Sequence, residues 1–329
     1  MKRALRLLRR RLVSSIPVLL IVIVGTFFLL ELAPGDAVDA YLVTIGGGDP
    51  ALVQALRESY GLDQSALVRL WVYLTSLAHL DLGWSVQFGR PIRDLILERL
   101  PNTMWLMGAA LALSFTLGSL LGIIAGARPG SVFDRFFSVG SLALYAVPSF
   151  WLGLVLIIIF AVQLRWLPTS GIETIASGKA GLARAIDITR HLVLPVSALG
   201  LIYLALFLRM MRAGMAETWR QDFVLAARAK GLARRRIVLR HVARNALLPL
   251  VTMLGLQAAA MLGGSVVIES VFAIPGFGRL AQEAVAGRDA PLLIGIIIVS
   301  AVLVIIINLL VDIAYALLDP RVGASEGRA

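Results

Sequence analysis

Side chains that could do chemistry are scarce in this chain. It has no cysteine, which removes thiolate nucleophiles, zinc–thiolate sites and iron–sulfur clusters together. Its three histidines, His79, His191 and His241, are scattered and leave little for a metal site. No phosphate-cradling G-x-x-x-x-G-K-[ST] occurs, since Gly178-Lys179 has Glu173 where the first glycine should stand. H-E-x-x-H, G-x-S-x-G and an acid paired with a histidine inside an apolar segment are also missing. Catalysis by this chain alone is therefore not expected. What remains inside the apolar segments is a set of hydroxyls, amides and thioethers, among them Ser141, Tyr145, Ser149, Met253, Gln257 and Met261.

The segments that must position these groups are membrane-like. Of the 329 residues 59% are hydrophobic, and the mean hydropathy is +0.86, well above soluble usage. A spanning helix needs about 20 apolar residues. Six stretches lack Asp, Glu, Lys, Arg and His: Leu12 to Leu30, Leu100 to Ala127, Phe136 to Leu164, Leu192 to Leu208, Asn245 to Ile268 and Ala290 to Val311. They predict an all-α integral membrane protein with six transmembrane helices. A cleaved signal peptide at the N-terminus is the weaker alternative, because the first apolar run is too long for an h-region and no A-x-A site follows it.

Orientation follows from the bias of Lys and Arg toward the cytoplasm. Lys2, Arg3, Arg6, Arg9, Arg10 and Arg11 precede the first span, and ten Lys/Arg lie between Arg209 and Arg244. Both fall on the same side, which puts both termini in the cytoplasm. The formal charge of +11 and pI near 10.9 thus follow a membrane pattern, and no nucleic acid partner is expected.

Within the spans no carboxylate, lysine or histidine is expected at membrane depth, which argues against a pump driven by protons or sodium. Energy for uphill transport would have to come from outside the bilayer. Gly118, Gly122 and Gly126 recur every four residues and read as a packing face. Pro148 predicts a kink in the third span, with Ser141, Tyr145 and Ser149 at i, i+4 and i+8 beside it. Met253, Gln257 and Met261 form a similar stripe in the fifth span. Both stripes fit helix packing, and both fit a translocation path.

The basic segment 209–245 holds ten Lys/Arg against two acidic residues. Asp222, Phe223, Ala226, Ala227 and Lys230, followed by Gly231 and Leu232, read as a short helix stopped by a glycine cap. Its small residues, Ala226 and Ala227, would mark the side that a partner approaches. Docking to a partner and contact with lipid headgroups are equally compatible with the composition.

These residues also carry a resemblance. Asp222-Phe-Val-Leu-Ala-Ala-Arg-Ala-Lys-Gly231 and Arg240-His-Val-Ala-Arg-Asn-Ala-Leu-Leu-Pro249 resemble the cytoplasmic signature loop of ABC-importer permeases of the dipeptide/oligopeptide/nickel branch. Further matches follow in the same order: Ile16-Pro17 with Leu32-Ala-Pro-Gly-Asp36, Asp81-Leu-Gly83, Glu98-Arg-Leu-Pro101, Val147-Pro-Ser-Phe-Trp-Leu-Gly153, Trp166-Leu-Pro168, Glu269-Ser-Val-Phe272 with Pro275-Gly-Phe-Gly-Arg-Leu280, and Leu317-Leu-Asp-Pro-Arg321. One departure stands out: Leu225 occupies the position of the signature glutamate.

The resemblance implies a type I permease, half of a translocation pathway in a bacterial or archaeal inner membrane. It implies pairing with a second permease and with two cytoplasmic subunits that bind ATP and Mg, while this chain holds no cofactor. It also implies delivery of peptides or similar solutes by an extracytoplasmic binding protein. Asp222 to Leu232 would be the coupling helix, with Lys230, Arg228 and Arg234 as charges at its rim.

The expected organisation is a basic N-terminus with the first span (1–32), an extracytoplasmic helical cap (33–102), a five-helix core (103–320) containing the loop 209–245, and a tail (321–329). Pro275-Gly-Phe-Gly278 reads as a turn in a segment dipping at the outer surface. Two rivals remain. A self-sufficient secondary transporter or channel would need charges along its path, and a membrane-embedded enzyme would need a catalytic constellation.

Overall fold

The computed structural model describes residues 2–32, 38, 49–59 and 63–318. The described residues are mostly helical: α1 (Lys2–Glu31), α2 (Pro50–Ser59), α3 (Ala66–Ala78), a two-stranded antiparallel hairpin of β1 (Trp84–Ser85) and β2 (Arg90–Pro91), α4 (Ile92–Ala127), α5 (Val132–Ala146), α6 (Ser149–Gln163), α7 (Gly181–Thr218), α8 (Asp222–Ala229), α9 (Arg234–Val271), α10 (Phe277–Ala286) and α11 (Ala290–Leu318). The motif residues 33–36 and 319–321 and the tail 321–329 lie outside the described residues.

Among the described residues, α4, α7, α9 and α11 are long and apolar enough to cross a membrane. The bent pair α5–α6 supplies a fifth crossing if it counts as one span. Val13–Leu29 of α1 is a shorter apolar stretch. The third span expected from the sequence is thus not one kinked helix: α5 and α6 meet at an angle of 100°. Val147 (φ −82°, ψ 128°) and Pro148 (φ −62°, ψ 140°) are both extended. Proline pushes the residue before it out of the helical region, so the break takes two residues rather than one hydrogen bond.

Helix lengths also exceed the charge-free stretches. All six stretches were bounded where a charge appears, but a helix does not have to end there. So α4 begins at Ile92, α7 runs on to Thr218, and α9 starts at Arg234. The segment 209–245 is consequently mostly helix, and its connections are confined to 219–221 and 230–233.

The chain divides into two compact units. One comprises residues 1–103 and 275–306. Here Ile23 and Phe27 of α1 pack with Ile294 and Ile298 of α11 and with Leu70, Tyr73 and Leu74 of α3. A second cluster joins Ile92, Leu95 and Ile96 to Phe277, Leu280 and Ala284 of α10 and to Leu292 and Ile296. The hairpin, which the helical cap reading did not include, is fastened by Asp289. Its carboxylate accepts from Ser85 Oγ (2.5 Å), Gln87 N (3.0 Å) and Leu292 N (3.1 Å). The expected turn at Pro275–Gly278 is the start of α10, where Phe277 N donates to Thr103 Oγ1 at 2.8 Å and Asn102 Nδ2 donates to Pro275 O at 2.7 Å.

The other unit comprises residues 104–274 and 307–329. The glycine stripe of α4 lies against α7. A Cβ on Gly118 would come within 2.8 Å of Leu204 O, one on Gly122 within 2.6 Å of Met211 Cβ, and one on Gly126 within 2.7 Å of Met215 Cβ. The packing face read from the four-residue repeat is therefore the α4–α7 seam.

Candidate functional site

In α8 the chain builds its helix ends from local rules. Gln221 is extended (φ −81°, ψ 147°) at the N-cap, and Asp222 places a negative charge in the first turn, where the helix dipole favours it. At the other end Gly231 adopts φ +68°, a conformation that costs other residues energy. Gly231 N donates to Arg228 O (2.9 Å) and Leu232 N to Ala227 O (3.3 Å), the paired bonds of a Schellman cap.

Two faces of α8 differ sharply. Val224 and Ala227 are buried against Ile237, Val238 and Val242 of α9 and Met211 and Met215 of α7, with Leu232 partly buried beside them. Phe223, Ala226 and Lys230, spaced i, i+3, i+7, are exposed, as are Asp222 and Leu225. The two alanines therefore do not share a partner-facing side: Ala227 belongs to the chain's own core and Ala226 to the open face. Leu225, in the position of the signature glutamate, is 59% exposed.

The rim arginines make contacts within the chain that the sequence did not show. Arg228 and Arg234 lie over the Trp219 ring, 5.1 and 5.9 Å from its centre. Trp219 Nε1 donates to Gly126 O at 2.9 Å, and Arg234 Nη2 donates to Ala127 O at 2.8 Å. These cations thus tie α8 and the start of α9 to the last carbonyls of α4, where the helix dipole is negative. All three residues expected at the rim, Arg228, Lys230 and Arg234, are exposed, and Lys230 alone of them has no contact with Trp219 or α4 among the described residues. Nothing in the composition of the basic segment distinguished these roles; a tryptophan among the arginines was the available signal.

A second buried link was invisible in the sequence. Asp134, in the first turn of α5, accepts two hydrogen bonds from Arg212 of α7, that from Nη2 at 3.0 Å, and one from Gly130 N at 2.8 Å. Ser131 caps the same helix by accepting from Asp134 N at 3.2 Å.

Of the residues expected along a path, Ser141 is buried and donates to Ser138 O at 2.9 Å. Tyr145 is 51% exposed and carries the Arg209 guanidinium over its ring at 4.5 Å. Ser149 lies beyond the break, so Ser141, Tyr145 and Ser149 do not form one helix face. On α9, Met253 and Gln257 are half-buried, while Met261 is fully buried in the core with Met107, Leu199 and Ile268. For Met261 the geometry is that of packing.

Residues 118–324 match the family of binding-protein-dependent transport system inner membrane components, and residues 4–107 match the N-terminal region of such membrane components. The chain belongs to this family. It is 37% identical over 318 residues to the oligopeptide transport system permease protein AppB of Bacillus subtilis (strain 168), covering 95% of this chain and 98% of that one. It is 38% identical to the di/tripeptide transport system permease protein DppB of Pseudomonas aeruginosa (strain UCBPP-PA14), covering 97% and 98%. A solved structure of the MetNI methionine ABC transporter in an inward-facing conformation aligns with a TM-score of 0.55 and 18% identity, over 68% of this chain and 96% of that chain. The fold is that of a type I ABC-importer permease, and the protein is a multi-pass membrane transport subunit.

A short helix is clamped on one side to three membrane helices and leaves a narrow apolar and cationic strip open on the other.

Proposed function

We propose that this permease forms half of the translocation pathway of an ATP-driven importer of short peptides, with six spans and both termini in the cytoplasm. Its partners in this reading are a second, similar permease, two cytoplasmic subunits that bind and hydrolyse ATP with Mg, and an extracytoplasmic binding protein that delivers the cargo. The α8 strip of Phe223, Ala226 and Lys230 seats in a groove of an ATP-binding subunit. Movement of that subunit passes through Val224 and Ala227 into α7 and α9, and through Trp219 into α4. Peptides are the cargo named for AppB and DppB, and their likeness over nearly the whole chain supports the same class here.

The observation that carries the coupling role is the two-faced burial of α8. Gly231→Val tests it, because the cap demands φ +68°. A β-branched residue there costs about 1–2 kcal/mol locally, enough to displace the helix end without unfolding the spans. The expected result is a complex that inserts at normal levels and hydrolyses ATP but imports about tenfold less peptide per ATP. Unchanged import would overturn the coupling assignment.

A further inference from the structure

Two arginines one turn apart on α7 have different company. Arg212 is neutralised by Asp134. Among the described residues, Arg209 has no carboxylate partner and no hydrogen bond, and its Nε is buried without one. Its guanidinium carbon instead lies 4.5 Å from the centre of the Tyr145 ring. Tyr145 stands eleven residues beyond Asp134 on α5, about 16 Å along the helix. The side chain therefore reaches away from the ion-paired end of α5 and toward the apolar layer.

A bare guanidinium at that depth is costly against acyl chains and persists where it faces water or a solute. Stacking on a tyrosine ring steadies the cation through the ring's electron-rich face and uses none of its N–H donors. The two terminal nitrogens remain able to grip a carboxylate through paired hydrogen bonds. We propose that Arg209, held over Tyr145, is a carboxylate-binding subsite of the translocation path, which takes the C-terminal carboxylate of a peptide in transit. This rests on the peptide-import reading given above, and it adds a cation to a path that the sequence left without charges.

The test uses the complete transporter with its binding protein in proteoliposomes, supplied with a mixture of unmodified di- to pentapeptides and read by mass spectrometry of the lumen alongside ATP hydrolysis. Arg209→Gln should keep binding-protein-stimulated hydrolysis within about twofold of the wild type while import per ATP falls about tenfold, the scale of one lost charged hydrogen-bond pair. Arg209→Lys should recover part of the import, because it restores the charge without the paired hydrogen bonds. Import per ATP at the wild-type level in Arg209→Gln overturns the subsite. So does a parallel loss of hydrolysis and import with no recovery by lysine, which would mark a merely structural arginine. A wild-type transporter that imports none of these peptides fails the peptide reading itself, and the subsite's cargo with it.

Discussion

The α4–α7 seam and the α5–α6 elbow are both places where a membrane helix departs from smooth apolar packing, and they are encoded in different ways. At the seam three glycines in a four-residue repeat remove side chains along one face, and the backbones close to within a Cβ of each other. At the elbow two consecutive extended residues, Val147 and Pro148, turn the chain by 100°. Periodicity specifies the first, since every member of the stripe does the same job. The second depends on a local backbone choice that no period reveals. Membrane helices pack through small residues because lipid offers no hydrophobic drive to associate, so the seam is where stability should be concentrated.

The largest expected effect is therefore at the seam. In Gly122→Ala the new methyl meets Met211 Cβ at 2.6 Å and Leu208 O at 2.8 Å. Neither can move without shifting the α7 backbone, and the expected cost is about 3 kcal/mol. The measurement is the thermal midpoint of the detergent-solubilised transporter, which should fall by several degrees and take import down with it. An unchanged midpoint would mean that α4 and α7 are not closely apposed.

A smaller loss is expected beside the elbow. Gly153 of α6 lies against the edge of Phe272, and an added Cβ would stand 3.1 Å from Phe272 Cε2 and 3.5 Å from Val271 Cγ1. Both neighbours are side-chain atoms that can yield by a few tenths of an ångström. Gly153→Ala should cost about 1 kcal/mol, giving a midpoint shift clearly less than that of Gly122→Ala. Equal shifts would remove the distinction drawn between backbone-limited and side-chain-limited contacts.

The same contrast explains what was legible in the sequence. Spans, the glycine face and the glycine-capped α8 were readable because each follows from local composition or spacing. The family followed from ordered motifs. What could not be read was long-range. Asp134 finds Arg212 and Trp219 finds Gly126 across loops and spans, and Asp289 reaches back to Ser85 and Gln87. Bounding spans by charge also hid Arg209 and Arg212, which continue α7 past the apolar stretch. The short glycine-capped helix lies where the sequence placed it, yet its inward face was not legible, because an eight-residue helix with Ala226 and Ala227 side by side gives no sign of which alanine turns inward. The residues of the two stripes divide similarly: Tyr145 meets a cation, whereas Met261 lies in the core, and both had looked alike as members of a stripe.

The smallest effect should come from Gly140 of α5, and its sign is opposite. Nothing lies within 4 Å of a Cβ built there, and the residue sits inside a regular helix where glycine costs roughly 0.5–1 kcal/mol relative to alanine. Gly140→Ala should raise the thermal midpoint slightly and leave import unchanged, since it relieves unfolded-chain entropy without touching a neighbour. If it instead lowers the midpoint or blocks assembly with the second permease, then the open face of α5 is a contact surface in the transporter. Small residues would in that case serve close packing on α5 as they do on α4, and the contrast between repeat-encoded and locally encoded departures would narrow to the two residues of the elbow.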